Sequence, residues 1–109
     1  MSQEGALRLD KWLWAARFFR TRALAAEALG AGRVSVNGER AKPAKAVKPG
    51  DTLSIRRPPW EHVVVVRAVS GQRGSAAVAQ ALYEETAESR AKRESLSAEM
   101  KALPPPVFK

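Results

Sequence analysis

Between Leu9 and Ala16 the apolar residues Leu9, Trp12, Leu13 and Ala16 recur at i, i+3, i+4 and i+7, the spacing of one face of a helix. Arg8, Lys11 and Ala15 fall on a different face, which sets Arg8 and Lys11 one turn apart. Asp10 suits the positive first turn. Thr21 is the expected N-cap of a second helix, because its hydroxyl can accept an orphan backbone N–H. Leu24, Ala25, Ala28 and Leu29 form that helix's apolar stripe, and Gly30 or Gly32 closes it in the left-handed conformation that glycine takes at no steric cost. Arg17–Arg22 is then a short turn between two antiparallel or crossing helices.

From Arg33 the period changes to two. "RVSVNGERA" points Val34 and Val36 inward and Arg33 and Ser35 outward, and Asn37-Gly38 is a strong hairpin signal. "KPAKAVKPGD" is a loop punctuated by Pro43 and Pro49-Gly50, with Val47 as its anchor. "TLSIR" alternates again, with Leu53 and Ile55 inward, until Pro58-Pro59 breaks it. "HVVVVRAV" reads as a further strand and "SGQRGS" as a turn. Ala76 to about Leu103 favours helix, either continuous or in two pieces broken near Thr86. "PPPVFK" is expected to be a disordered, semi-extended tail. The fold class is α+β, in three parts: residues 7–70 with the two helices and a small sheet, a helical extension over 71–103, and a tail over 104–109.

Charge sharpens the picture. The chain has 109 residues, 19 Lys+Arg against 11 Asp+Glu, and a net charge of +8. Such a balance attracts polyanions. Residues 1–60 hold 12 of the bases and 5 of the acids, so the electrostatic footprint lies in the first half. Unbroken apolar runs such as Val63 to Val66 are far too short to cross a bilayer. The first residues lack the apolar stretch of a secretory signal. With no cysteine there is no disulfide framework and no thiolate metal site. A cytoplasmic, non-membrane protein without a cofactor or metal is expected.

Catalytic candidates are few. His62, the sole histidine, has no nucleophile or acid pair near it in sequence and reads as an ordinary, partly exposed residue. Glu84, Glu85 and Glu88 alternate with bases further on and read as an ion-paired face. No phosphate-binding or metalloprotease motif is present, and the protein is not expected to be an enzyme. Among the aromatics, Trp12 lies on the buried stripe, Trp14 off it, either packed on the C-terminal part or exposed for stacking, and Trp60 at a sheet edge. Of the neighbours Phe18 and Phe19, one plugs the core, and the other packs or stacks on a base.

The basic constellation is stronger. Arg8 and Lys11 share a face; Arg17, Arg20 and Arg22 flank the joint; Thr21 opens a helix whose N-terminal N–H groups favour anions. Arg33 precedes the first strand, and Lys42 and Lys45 follow the hairpin. Guanidinium forks match phosphate bidentately. "RLDKWLWAARFFRTRALAAEALGAGRVSVNGERAKPAKAVKPGDTLSI" resembles the S4 RNA-binding domain. It carries the R-L-D-K-x-L opening, the basic joint followed by T-R, and the V-N-G and K-P-x-x-x-V-x-x-G-D segments. "ALYEETAESRAKRE" is similar to the bacterial 15-kilodalton heat-shock protein family, to about Arg93.

The resemblance implies an L-shaped RNA-binding motif contacting RNA through Arg8, Lys11, Arg17, Arg20, Thr21, Arg22, Arg33, Asn37, Lys42 and Lys45. It also implies association with the large ribosomal subunit, through ribosomal RNA and tRNA, on subunits that retain peptidyl-tRNA after aborted translation. The expected form is a monomer. Two other readings stand beside it: a general DNA- or nucleoid-binding protein, and an accessory module of an RNA-modifying enzyme.

Overall fold

A computed structural model describes residues 7–57 and 60–102. The chain runs β1 (Leu7–Arg8), α1 (Leu9–Ala15), α2 (Arg22–Gly30), β2 (Val34–Val36), β3 (Glu39–Arg40), β4 (Ala46–Val47), β5 (Thr52–Arg57), β6 (Trp60–Val66), α3 (Ala76–Gln80), β7 (Tyr83–Glu85) and α4 (Ala87–Ala102). A five-stranded antiparallel sheet has the order β3-β2-β5-β6-β7, and β1 pairs separately with β4.

Both N-terminal helices form where the apolar spacing places them. Leu9, Trp12, Leu13 and Ala16 are buried, as are Ala25, Ala28 and Leu29 of α2. Thr21 caps α2 by accepting the Leu24 N–H at 3.0 Å. Two positions differ from the pattern. Leu24 is 43% exposed, because α2 turns its Ala25–Ala28–Leu29 edge inward and leaves the residue before it outside. Ala15 is fully buried on a face expected to be basic, since its methyl is small enough to sit in the core.

The sheet closes the other side of that core with Val34, Val36, Leu53, Ile55, Val64 and Val66. Asn37 (φ 51°) and Gly38 (φ 87°) both adopt the left-handed conformation that a type I′ turn requires, and Val36 pairs with Glu39 across it. Val47 is buried as expected, but its segment also forms β4, which pairs Arg8 with Ala46.

The second half differs most. Instead of continuing a helix, residues 83–85 form β7, the sheet's edge, paired with Val64–Val66. Segment 71–103 is therefore not purely helical, and it shares the sheet with the first half. The break near Thr86 is real: the Thr86 hydroxyl accepts the Ser89 N–H at 3.2 Å and starts α4. α4 runs on beside β6 where β7 stops, and Ser89 Oγ accepts the Val63 N–H that lacks a neighbouring strand. The expected disordered tail, 104–109, lies outside the described residues.

Candidate nucleic-acid interface

Both helices end in the same geometry. At the end of α1 the Phe18 N–H donates to the Leu13 carbonyl and the Arg17 N–H to that of Trp14, both at 3.0 Å. At the end of α2 the Arg33 N–H donates to Ala28 and the Gly32 N–H to Leu29. These are Schellman caps, whose pivot residue is left-handed and usually glycine. The α2 pivot is Gly32 (φ 76°), whereas the α1 pivot is Arg17 (φ 67°). A non-glycine residue there costs roughly 1–3 kcal/mol and marks a position held by its surroundings. Those surroundings are the loop after β6. Arg17 Nε donates to the Gly74 carbonyl at 2.9 Å, and Arg73 Nη1 donates to the Trp14 and Phe19 carbonyls at 2.6 and 2.9 Å. The bend is thus braced from behind, while Arg17, Arg20, Thr21 and Arg22 stay exposed.

A buried carboxylate gathers the front of the site. Asp10 is 5% exposed and accepts Arg8 Nε and Nη2 at 3.2 and 3.1 Å and Arg22 Nη2 at 3.5 Å. Burial alone would raise its pKa. The hydrogen bond and charge of Arg8, the charge of Arg22 and the Lys11 backbone N–H outweigh that and hold it below the ordinary carboxylate value. The Arg8 and Arg22 side chains remain about half exposed, at 54% and 45%, so their other N–H groups face outward. The loop before β4 is fastened to the same helix start. The Leu9 N–H donates to the Lys45 carbonyl at 2.8 Å and the Asp10 N–H to that of Pro43 at 3.2 Å. Lys42 and Lys45 therefore stand beside Arg8.

Asn37, Arg40, Lys42 and Lys45 line a hollow of about 600 Å³ between that loop and the hairpin. Asn37 also holds its strand ends together, donating to Asp51 at 3.2 Å and accepting the Thr52 N–H at 2.9 Å. The remaining expected residues lie apart from this front. The Lys11 stem lies against Gly71, and the Arg33 carbonyl accepts the Arg56 N–H at the far end of α2. Sequence reasoning missed Asp10 as an organiser, Arg40 and Arg73. Arg40 could have been found from its place one residue past the Asn37-Gly38-Glu39 turn. Arg73 carried no local signal, because its partners are more than fifty positions away.

The aromatics and the other candidate groups resolve as follows. Phe18 is buried and stacks on Trp12, while Phe19 packs half-buried under the Arg57 guanidinium at 5.9 Å. Trp14 packs under Arg73, from the C-terminal half. Glu84 pairs with Arg67, and Glu85 with Arg93. Among the described residues no group of three or more His, Cys, Asp or Glu could hold a metal, and no helix is long and apolar enough to cross a membrane.

The shifted groups predict an acid-sensitive fold. The Arg93 hydrogen bond, against burial, holds Glu85 below its ordinary value, as Arg8 does for Asp10. For both carboxylates the stability from ionisation is full above the unfolded values, 4.5 and 3.8, and is lost as pH falls through the lower folded values. Burial lowers the pKa of His62, with Arg93 and Arg57 acting in the same direction and Glu85 opposing. The unfolded chain therefore binds this proton first, and stability also begins to fall once pH drops below 6.5. Denaturation midpoints measured across this range should show both limbs. Asp10→Asn should flatten the lower limb and His62→Gln the upper.

The capped helix pair, the hairpin and the basic bend define an S4-domain protein, and the S4 domain family matches residues 7–53. Similarity extends well beyond that domain. Heat shock protein 15 of Escherichia coli K12 is 53% identical over 91 residues, which cover 84% of this chain and 68% of that one. The Haemophilus influenzae homolog is 45% identical over 94 residues, covering 86% and 72%. The chain belongs to the heat shock protein 15 family. A solved structure of Vibrio cholerae Heat Shock Protein 15, described as trimeric, superposes with a TM-score of 0.83 at 46% identity over 91% of this chain and 99% of that one. The RQC P-site tRNA stabilizing factor of Bacillus subtilis is 48% identical over 50 residues, 46% of this chain and 58% of that protein.

Proposed function

We propose that this chain binds structured RNA of the large ribosomal subunit and acts in the cytoplasm on subunits that retain peptidyl-tRNA. The observation that carries the reading is the cationic front assembled on Asp10: Arg8 and Arg22 share its carboxylate, and the Lys42–Lys45 loop is hydrogen-bonded to the same helix start. Every group comes from one chain, so a monomer suffices for docking. Arg17, Arg20, Thr21 and Asn37 extend the contact along the bend and hairpin, while Lys11 and Arg33, which lie apart from this front, add charge at its margins. Base-paired RNA hides its major-groove edges, so recognition rests on shape, phosphates and 2′-hydroxyls. No covalent step is involved. The names of the relatives, a P-site tRNA stabilizing factor among them, support the ribosomal reading.

Sedimentation of the tagged protein with cell extract tests it. Co-migration with free large subunits is expected, with duplex DNA a poor competitor. Migration with chromosomal DNA, or equal competition by duplex DNA, would overturn the proposal. The sedimentation of the purified chain alone separates the expected monomer from the trimer of the Vibrio cholerae structure.

A further inference from the structure

Behind the bend, away from Asp10, two hollows of about 290 and 440 Å³ adjoin one another and share Arg57, His62 and Arg93 as walls. Arg17 and Tyr83 line the first and Trp60 the second. Three observations give this groove a binding character. Its cations outnumber its acids: Arg93 is taken by Glu85 at 2.6 Å, while Arg17 and Arg57 have no carboxylate partner among the described residues. Arg17 is held there at φ 67° with its Nε fixed on Gly74, which leaves its terminal nitrogens for another acceptor. His62 Nδ1 is buried without a protein hydrogen-bond partner, and its ring lines the first hollow together with the half-buried Tyr83. Unpaired buried polar atoms are rare in folded proteins and call for a partner.

Resting on the RNA-binding reading above, we propose that this groove receives one unpaired nucleotide extruded from the docked RNA. Arg17 and Arg57 hold its phosphate, and its base lies against Tyr83, His62 or Trp60. The size fits, since small-ligand pockets begin at about 300 Å³. Single-stranded recognition combines stacking on such rings with guanidinium contacts to the backbone. Arg17 joins the groove to the bend, so a strand tracking the outer arginines reaches it without crossing neutral surface.

The sole histidine makes the test direct. In NMR titrations with adenosine monophosphate, the His62 ring and the Trp60 indole N–H should shift saturably in the millimolar range. Inorganic phosphate at the same concentrations should not shift them, and Arg57→Gln should weaken nucleotide binding about tenfold. Absence of a saturable shift, or an equal response to inorganic phosphate, would overturn the proposal; the latter would leave an anion pocket only. A second arm compares an RNA stem carrying one bulged nucleotide with the same stem fully paired. The wild-type chain should favour the bulged stem about tenfold, and Arg57→Gln should abolish that preference while binding the paired stem unchanged. If the wild-type chain binds both stems equally, the groove assignment fails. If neither stem binds, the RNA reading itself fails, and the monophosphate titration still decides the groove.

Discussion

Trp12→Ala should remove about 3–5 kcal/mol of stability, the range for emptying a large buried aromatic site. Against the roughly 5–15 kcal/mol that holds a domain of this kind together, that is a large share of the total. Trp12 is fully buried, stacks on Phe18 at 6.1 Å and meets the edge of Tyr83 at 6.4 Å. Its indole Nε1 donates to the Ala68 carbonyl at 2.9 Å. One side chain thus ties α1 to the bend, to β7 and to the loop after β6. Trp12→Phe separates the contributions: it keeps most of the ring volume and loses the hydrogen bond, which should cost about 1 kcal/mol, because Ala68 is exposed and its carbonyl can rehydrate. Chemical denaturation of the two variants checks the ratio. Similar losses for both would mean that the hydrogen bond, not the packing, dominates.

The dependence on Trp12 also shows where sequence reading runs out. The apolar spacing of Leu9, Trp12 and Leu13 is a local signal, and so are the Thr21 cap and the Asn37-Gly38 turn; each was legible because the physics acts within a few residues. The strand at Tyr83–Glu85 was not. Its flanks, Ala76–Gln80 and Ala87–Ala102, are good helix formers, and three residues between them become a strand through pairing with Val64–Val66. Tertiary pairing overrides local preference there. The candidate site divides in the same way. The pile-up of Arg17, Arg20 and Arg22 is visible along the chain, but the brace that Arg73 supplies joins residues 54 and 59 positions apart. Leu24 shows the reverse failure: helical spacing gives a face, and packing decides how wide that face is.

The two arginines on Asp10 should behave differently when removed, although both belong to the proposed RNA-binding front. Arg22→Ala leaves the two-bonded Arg8–Asp10 pair intact, so the fold should keep its stability. Arg8→Ala leaves the buried carboxylate with only the longer 3.5 Å contact to Arg22 and the Lys11 backbone N–H. Breaking a pair around a buried charge destabilises because the remaining charge lacks compensation, so this variant should also lose part of its acid resistance. In RNA binding the two should look alike. With about five phosphates neutralised, log affinity falls with log salt at a slope near −4. Each substitution that removes one phosphate contact should make that slope shallower by about 1, and the double variant by about 2, with affinity at low salt reduced roughly tenfold per contact. Titration of a structured ribosomal RNA fragment at several salt concentrations checks this. An unchanged slope in Arg22→Ala, with the protein folded, would remove this side chain from the interface and show that its bond to Asp10 serves the fold alone.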